Sequence, residues 1–524
     1  HKDQVLHVNF SHDGKMFATC SKDGFIKVWN MSSFPIITLK YSFDLKLYNW
    51  KYTQYSCFNA DDTLLLVSGV HFGSHSTSGE IAVFNVIDGQ FTLQCRVINR
   101  PYDVFGTWYN EDYLISGNLH WFGHLLSCSS LWINKAWQET DSELETVVMR
   151  TFKFFNVNGS SVRNIMVCDC LTSLPTKENQ INVDSDAQLS ETDANHNYQI
   201  DNRIKTNEQN EIPPWASTSV DLPTSSSGSS TSSTSTLSSA NLKDPRNSKR
   251  SLNDSRKHAL NGDKYLVFTT GSKTYVPHQI GFKLIKPIKL PTISQALAIL
   301  NPSSSAHRDN RDYPETVGLE TDADTIHDYN PLIYRGARSF PNNEFQNYPE
   351  QMDFDSIDHL IDFNGHIIGM TFSPDQKYLY VNVRCWPDGC IISNPLNPPP
   401  IAQEIEIRVV DMSNLQIIDN QIFTSHKAYT HNEECFFLFL DVSDEYLASG
   451  AEDKSAYIWD RYYENLCVAK LPHSDIVNCV SFDPTNSQIM ITTTDDNYIK
   501  VWVSRRLFRD IKIQKSEMQG NEQT

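Results

Sequence analysis

The sequence predicts an all-β protein, a β-propeller of seven blades carrying long disordered insertions. Three observations predict it. A strand–turn–strand unit ending in Trp occurs near both ends of the chain, as FATCSKDGFIKVWN (17–30), SGAEDKSAYIWDR (449–461) and MITTTDDNYIKVWV (490–503). The units share a register: Thr19, Ser449 and Thr492 lie ten residues before Trp29, Trp459 and Trp502, and Asp23, Asp453 and Asp496 lie six before. Between the units, short alternating runs are bounded by turn residues, as in VLHVNF followed by SHDG, which reads as strands and tight turns. A sheet that recurs in this way buries its faces only against neighbouring copies of itself.

In chain order, the first blade fills roughly residues 1–35. A looser second blade takes strands from 52–58, 64–68 and 80–84, with a Gly/Ser/His loop at 69–79. The third runs from YDVFGTW (102–108) through YLIS (113–116) to SLWI (130–133). The fourth is expected to open at 147–155 and 162–168, so that blades one to three and the start of the fourth occupy 1–170. Composition then changes. Residues 171–262 hold TSSSGSSTSSTSTLSSA (224–240) among Asn, Asp, Glu and Lys. Such a stretch cannot bury enough apolar surface to offset the entropy of ordering, so it is read as disordered. Its basic end (243–257) reads as a solvated linker in preference to a nuclear-import or phospho-regulated segment. The fourth blade resumes at 263–286, an irregular acidic insertion covers 287–355, and blades five to seven fill 356–513 before a tail at 514–524. Insertions of this kind sit in loops and add little entropic cost per residue.

Formal net charge is −19 over 524 residues. That argues against a nucleic-acid binder, which carries a basic footprint. No run of about 18 apolar residues occurs, so no membrane span is expected. The eleven cysteines show no zinc spacing and no signal peptide precedes them; they read as reduced thiols of a cytoplasmic protein, one also found in the nucleus. His71 and His75 lie four apart but in a loop, and neither a Gly-rich phosphate loop nor a metal motif is present, so no cofactor and no metal are expected. A chain that opens on His1 reads as a fragment or a processed product.

The shared register defines candidate side-chain networks. A His precedes each unit, giving His1, Thr19, Asp23 and Trp29; His426, Ser449, Asp453 and Trp459; and His473, Thr492, Asp496 and Trp502. An imidazole, a hydroxyl, a carboxylate and an indole N–H can satisfy one another in a buried chain. His426, Ser449 and Asp453 also spell a nucleophilic triad. Its repetition with Thr in two other blades favours structure over catalysis. Recognition is expected at loop ends, where Arg and aromatic residues anchor interfaces. The candidates for substrate binding are Arg384 with Trp386, Tyr429, and Arg461 with Tyr462 and Tyr463, and Tyr48 with Trp50 belongs to the same class. Lys22, Glu452 and Asp495, each directly before a network Asp, join them at the blade mouths.

Several strings do not follow from the repeat alone: KDQVLH (2–7), PYDVFG (101–106), ISGNLH (115–120), PHQIG (277–281), GHIIGM (365–370), PPPIA (398–402) and ECFFLFLDVS (434–443). With SGAEDKSAYIWDR, and in this order, they resemble WD-repeat proteins, and more narrowly the F-box/WD-repeat-containing protein 5 family. The resemblance covers most of the expected propeller and neither insertion. It implies a non-catalytic substrate receptor of a cullin–RING ubiquitin ligase. The propeller would hold protein substrates, and an F-box upstream of His1, absent from this chain, would dock the Skp adaptor and so the cullin. Family substrates include centriole-assembly and cytoskeletal regulators. The family is also linked to a second, cullin-bound propeller adaptor that reads Trp-Asp-x-Arg. Here Trp459-Asp460 is followed at once by Arg461, and Trp502 has Arg505 but Val503 in the Asp position, so neither matches that motif in full. The rival reading is a WD-repeat scaffold with no ligase attached.

Overall fold

Each repeat folds as an antiparallel sheet, because its alternating residues place one apolar set on each face. The computed structural model describes residues 1–71, 78–87, 89–123, 126–137, 147–157, 160–170, 262–270, 279–290, 353–387, 400–431, 436–463 and 465–521. Blade 1 comprises β1 (Val5–Phe10), β2 (Met16–Ser21), β3 (Phe25–Asn30) and β4 (Thr38–Asp44). Blade 2 is β5 (Trp50–Phe58), β6 (Leu64–His71), β7 (Ser78–Asn85) and β8 (Thr92–Asn99). Blade 3 is β9 (Thr107–Trp108), β10 (Tyr113–Gly123), β11 (Leu126–Lys135) and β12 (Val147–Asn156). Blade 4 is β13 (Arg163–Asp169), β14 (Lys264–Thr270), β15 (Gln279–Ile285) and β16 (His359–Asp362). Blade 5 is β17 (Gly365–Phe372), β18 (Tyr378–Cys385), β19 (Glu406–Asp411) and β20 (Gln416–Phe423). Blade 6 is β21 (Leu440–Val442), β22 (Tyr446–Ser449), β23 (Ser455–Asp460) and β24 (Cys467–Pro472). Blade 7 has β25 (Val477–Asp483), β26 (Asn486–Thr494) and β27 (Ile499–Val503), followed by helix α1 (Arg505–Asn521). The fold is the seven-bladed propeller expected from the sequence.

Three boundaries differ from expectation. The run at Val147–Asn156 is the outer strand of blade 3, pairing with β11 from Ser127 to Asn134, and does not open blade 4. Alternation is the same for an inner and an outer strand, so the pattern could not distinguish them. Blade 4 closes with β16, which pairs with β15 across Gln279–Phe282; the acidic insertion therefore also lies inside this blade, and 359–362 do not belong to blade 5. Finally, 505–513 is helical, with the Ser504 hydroxyl accepting from Leu507 N at 3.1 Å as a cap. The Ser/Thr-rich stretch, the basic segment, most of the acidic insertion, His75 and two of the cysteines, Cys390 and Cys435, lie outside the described residues.

The up-and-down strand order sorts the loops onto two faces. First-to-second and third-to-fourth turns share one face; second-to-third turns and the connections between blades share the other, called here the connection face. Both insertions leave blade 4 from the first, the insertion face, because they join β13 to β14 and β15 to β16.

Apolar clusters fill the joints between blades. Ala18, Ile26 and Val28 of blade 1 meet Phe58, Leu65 and Phe84 of blade 2, and Val8, Phe10 and Phe17 meet Cys479, Ile489 and Ile491 of blade 7. Each Val, Leu, Ile or Phe among them contributes about 1.5–3 kcal/mol on burial. The last pairing joins the two ends of the chain, reinforced by Asn478 Nδ2 donating to Val5 O at 3.0 Å. An aromatic plug spans the centre. Phe105, from the connection into blade 3, lies 4.7 Å from Phe437 and 5.1 Å from Tyr55 between ring centroids. Phe439 lies 4.6 Å from His7. Phe105 adopts φ +64° and Gly106 φ +79°, a left-handed pair that turns the ring inward; a Cβ on Gly106 would strike Ile81.

Candidate functional site

The three sequence-matched networks share a scaffold but not a bonding pattern. In blade 1 the chain is continuous. The His1 ring contacts Asp23 at 2.9 Å through Nδ1 and Thr19 Oγ1 at 2.8 Å through Nε2, and Trp29 Nε1 donates to the same hydroxyl at 2.9 Å. In blade 7, His473 Nε2 and Trp502 Nε1 meet Thr492 Oγ1 at 2.8 and 3.0 Å. Asp496 is not part of that chain. His473 Nδ1 faces Leu471 O at 2.9 Å instead, while Asp496 accepts from the hydroxyls of Ser474 and Thr494. The local Ser and Thr donors outcompete the ring for the carboxylate.

Blade 6 departs furthest, and the expected network of His426, Ser449, Asp453 and Trp459 does not form there. Asn382 of blade 5 enters it: Asn382 Nδ2 donates to Ser449 Oγ at 2.9 Å, and its Oδ1 lies 3.3 Å from His426 Nε2. Trp459 Nε1 donates to Thr424 O at 3.1 Å. Asp453 turns away to Tyr457 OH at 2.5 Å and Lys470 Nζ at 3.0 Å. The triad reading fails on the same geometry: Ser449 donates to Gly450 O at 3.1 Å, and His426 is fully buried, with burial holding its pKa down near 3.

The candidate binding residues divide by face and by burial. Lys22, Tyr429, Glu452 and Asp495 all belong to the connection face, in second-to-third turns or the link into blade 6. Lys22 is exposed and Tyr429 is 49% exposed. Asp495 is half-buried and accepts from Asn478 Nδ2 at 2.8 Å. Burial, with the charges of Asp475 and Glu452, raises its pKa, while Asn478 and Lys22 oppose the rise.

Glu452, Arg384 and Trp386 are buried, not exposed as expected. Glu452 and Arg384 instead position a neighbouring loop. Glu452 accepts from the backbone N–H of Tyr429 and Thr430 and from the Thr430 hydroxyl. Arg384 donates from Nε to Ala402 O at 2.8 Å and from Nη1 to Thr430 O at 2.5 Å. Together they clamp the loop that presents Tyr429. Glu452→Ala is expected to speed amide exchange at Tyr429 and Thr430 and to cost about 1–3 kcal/mol of stability. Unaltered exchange at those two amides would show that the clamp does not hold the loop.

Arg461 is buried too, and it lies on the insertion face. Its Nη1 donates to Ser443 O at 2.6 Å and Asp444 O at 3.1 Å, and its Nε to Tyr380 OH at 3.1 Å. It therefore cannot share a surface with Lys22 and Tyr429. Its neighbours Tyr462 and Tyr463 are exposed, fixed by Asp460 Oδ1 accepting both of their N–H groups at 2.9 and 3.0 Å. Trp50 is buried, its indole donating to Glu80, which also pairs with Arg96 at 3.2 Å.

Two features escaped the reading of residues: Asn382, which carries no repeat signature, and the buried Asp103–Arg163 ion pair. PYDVFG, singular as a string, was the available signal for the second. Among the described residues, no group of three His, Cys, Asp or Glu could hold a metal ion, and no helix is long and apolar enough to cross a membrane.

The WD domain, G-beta repeat family model matches residues 1–30, 423–460 and 465–503, the three units with the shared register. Over 97% of its length the chain is 40% identical to F-box/WD repeat-containing protein 5 of Mus musculus, covering 80% of that protein. It is 39% identical to the Homo sapiens protein of that description, with the same coverage. The chain belongs to the F-box/WD repeat-containing protein 5 family. A more distant likeness, 29% identity over 28% of the chain, links it to WD repeat-containing protein 26 homolog of Arabidopsis thaliana. The family's propeller is a protein-interaction module, and its exposed candidate contacts divide between the faces, Lys22 and Tyr429 on the connection face and Tyr462 and Tyr463 on the insertion face.

Proposed function

We propose that this chain is the substrate-holding propeller of an SCF-type cullin–RING ubiquitin ligase receptor acting in the cytoplasm. It binds target proteins so that they are ubiquitinated and degraded by the proteasome. The observation that carries this reading is the 40% identity with an F-box/WD protein along nearly the whole chain. The mechanism needs no catalytic group of its own. A receptor that holds a target lysine near a charged conjugating enzyme raises the effective concentration of the two partners. The Skp adaptor and cullin would engage through an F-box outside this sequence. The second, propeller-type adaptor is a weaker expectation, since the Arg461 guanidinium is occupied by Ser443 and Asp444 carbonyls.

Affinity capture of the full-length protein is expected to recover a cullin and its Skp adaptor. Loss of both from the captured material would leave the non-ligase scaffold as the better reading. Joint substitution of Lys22→Glu and Tyr429→Ala is expected to weaken capture of substrates about tenfold, roughly 1.4 kcal/mol, with an unchanged melting temperature. Undiminished capture would remove the connection face from the substrate site.

A further inference from the structure

Helix α1 carries a face that the propeller does not use. The helix leaves blade 7 on the insertion face, because β27 is a third strand. Leu507 joins the cluster between blades 1 and 7 that includes Phe34 and Ile37, and Ile511, one turn on, is half-buried. At 3.6 residues per turn, Arg505, Arg509 and Lys512 form a stripe on the opposite side of the helix. Phe508 and Ile513, 49% and 55% exposed, flank that stripe. Arg506 is exposed beside it, and Asp510 is the one carboxylate between 505 and 513. Among the described residues, none of the four cations is paired with a carboxylate. Their contacts are local: Arg509 Nε donates to Arg505 O at 3.3 Å, and Lys512 Nζ lies 4.5 Å from the Phe508 ring. A chain of net charge −19 thus presents a basic stripe with apolar edges, which fits an acidic segment carrying apolar residues. Docking on a membrane uses an apolar helix face, and here that face, Leu507 and Ile511, is turned to the propeller.

The chain itself contains such a segment. Residues 309–328, DNRDYPETVGLETDADTIHD, hold seven carboxylates against one arginine, with Tyr313, Val317, Leu319 and Ile326 among them. They lie outside the described residues, in the acidic insertion, whose two ends leave blade 4 on the same face from which α1 starts. Length permits the contact, since residues 291–308 alone reach roughly 60 Å when extended. Tethering within one chain supplies an effective concentration on the order of millimolar, so exposed charge pairs that are individually weak can hold the segment. We propose that residues 309–328 dock on the Arg505–Arg509–Lys512 stripe of α1, a contact within one chain that competes with any other acidic partner of this helix. The contact is electrostatic and exposed, so salt weakens it. It lies on the face opposite Lys22 and Tyr429, and it is independent of the ligase reading.

Carbodiimide cross-linking of the full-length protein at low salt tests it. Lys512 is expected to form amide links to carboxylates of 309–328 within one chain, about tenfold more often than Lys15, which is 67% exposed on the same face. Arg505→Glu with Arg509→Glu is expected to cut that yield about tenfold. The melting temperature is expected to stay unchanged, because both side chains are exposed. Charge reversal in the segment, Glu320→Lys with Asp322→Lys and Asp324→Lys, is expected to speed amide exchange in α1. Adding it to the helix variant is expected to restore the slow exchange. Equal linking of Lys15 and Lys512 would mean passing encounters and overturns the proposal. So do links formed only between chains, which would assign the stripe to a second copy. So does sedimentation with phosphatidylserine vesicles that is lost in Arg505→Glu/Arg509→Glu, which would assign it to a membrane. Absence of any link from Lys512, with α1 exchange unchanged in both charge-reversed variants, overturns it as well.

Discussion

Asp103→Ala is expected to destabilise the propeller by about 3–5 kcal/mol, the cost of leaving one member of a buried ion pair without its partner. Asp103 is fully buried in the short helical turn Tyr102–Val104, and its carboxylate accepts from Arg163 Nη1. Arg163, 9% exposed, opens β13, so the pair ties the connection into blade 3 to the inner strand of blade 4. Removing the carboxylate leaves a guanidinium that Ser161 Oγ, at 3.0 Å, cannot neutralise. A domain's whole stability is typically about 5–15 kcal/mol, so the loss is a large part of it. Two further variants separate charge from packing. Asp103→Asn keeps the shape and an acceptor and is expected to fall between wild type and Ala. Combining Asp103→Ala with Arg163→Met removes both charges and is expected to recover most of the loss. Urea unfolding at pH 7 reads all three. A single mutant no weaker than the double would show that the pair is not what holds these blades.

That pair also marks where the sequence stopped being informative. The blades that carry the Thr–Asp–Trp register were legible because type and spacing agree, and blade 1 forms the network they spell. Bonding within blades 6 and 7 was not legible, because it depends on competitors from elsewhere: Asn382, 44 residues from His426, and the adjacent Ser474 and Thr494. Strand identity was legible from alternation, but blade membership was not where connections are long. β16 returns to β15 after the second insertion, and no local pattern encodes such a return. Exposure was the least legible property. Arg384 and Tyr429 are both plausible loop-end anchors by type, yet one is 2% and the other 49% exposed. The difference is made by Thr430 O, which draws the guanidinium inward and leaves the ring outside. PYDVFG was visible as an unusual string. Its two tasks, an ion pair and a ring in the central plug, required the fold.

Acidification from pH 7 to pH 5 is expected to cost the fold about 3 kcal/mol. Two buried imidazoles drive the loss. His7 lies between Tyr55 and Phe439, each 4.6 Å away, and its Nδ1 accepts from Ser56 N at 3.3 Å. Burial lowers its pKa from 6.5 to about 3, and burial lowers His426 to about 3 as well. Both folded pKa values lie below the unfolded value, so the unfolded chain takes up protons first. Stability therefore falls once pH drops below 6.5 and continues to fall to about 3. At pH 5 each ring costs about 2 kcal/mol, at about 1.4 kcal/mol per unit. Asp441 acts in the opposite sense. Burial raises its pKa to about 6, despite hydrogen bonds from Phe482 N, Val442 N and Ser481 Oγ. Its folded pKa lies above the unfolded value, so its penalty is greatest above pH 6 and is relieved as pH falls, returning about 1 kcal/mol by pH 5. The two histidines outweigh the one carboxylate. Urea midpoints at pH 7, 6 and 5 measure the sum. His7→Gln and His426→Gln should each remove about 2 kcal/mol of the loss, and a wild-type profile flat over this range would refute the assignment. Asp441→Asn gives the opposite signature. Whatever it does to stability at pH 7, it removes the compensating group, so the decline between pH 6 and pH 5 must become steeper than in the parent chain.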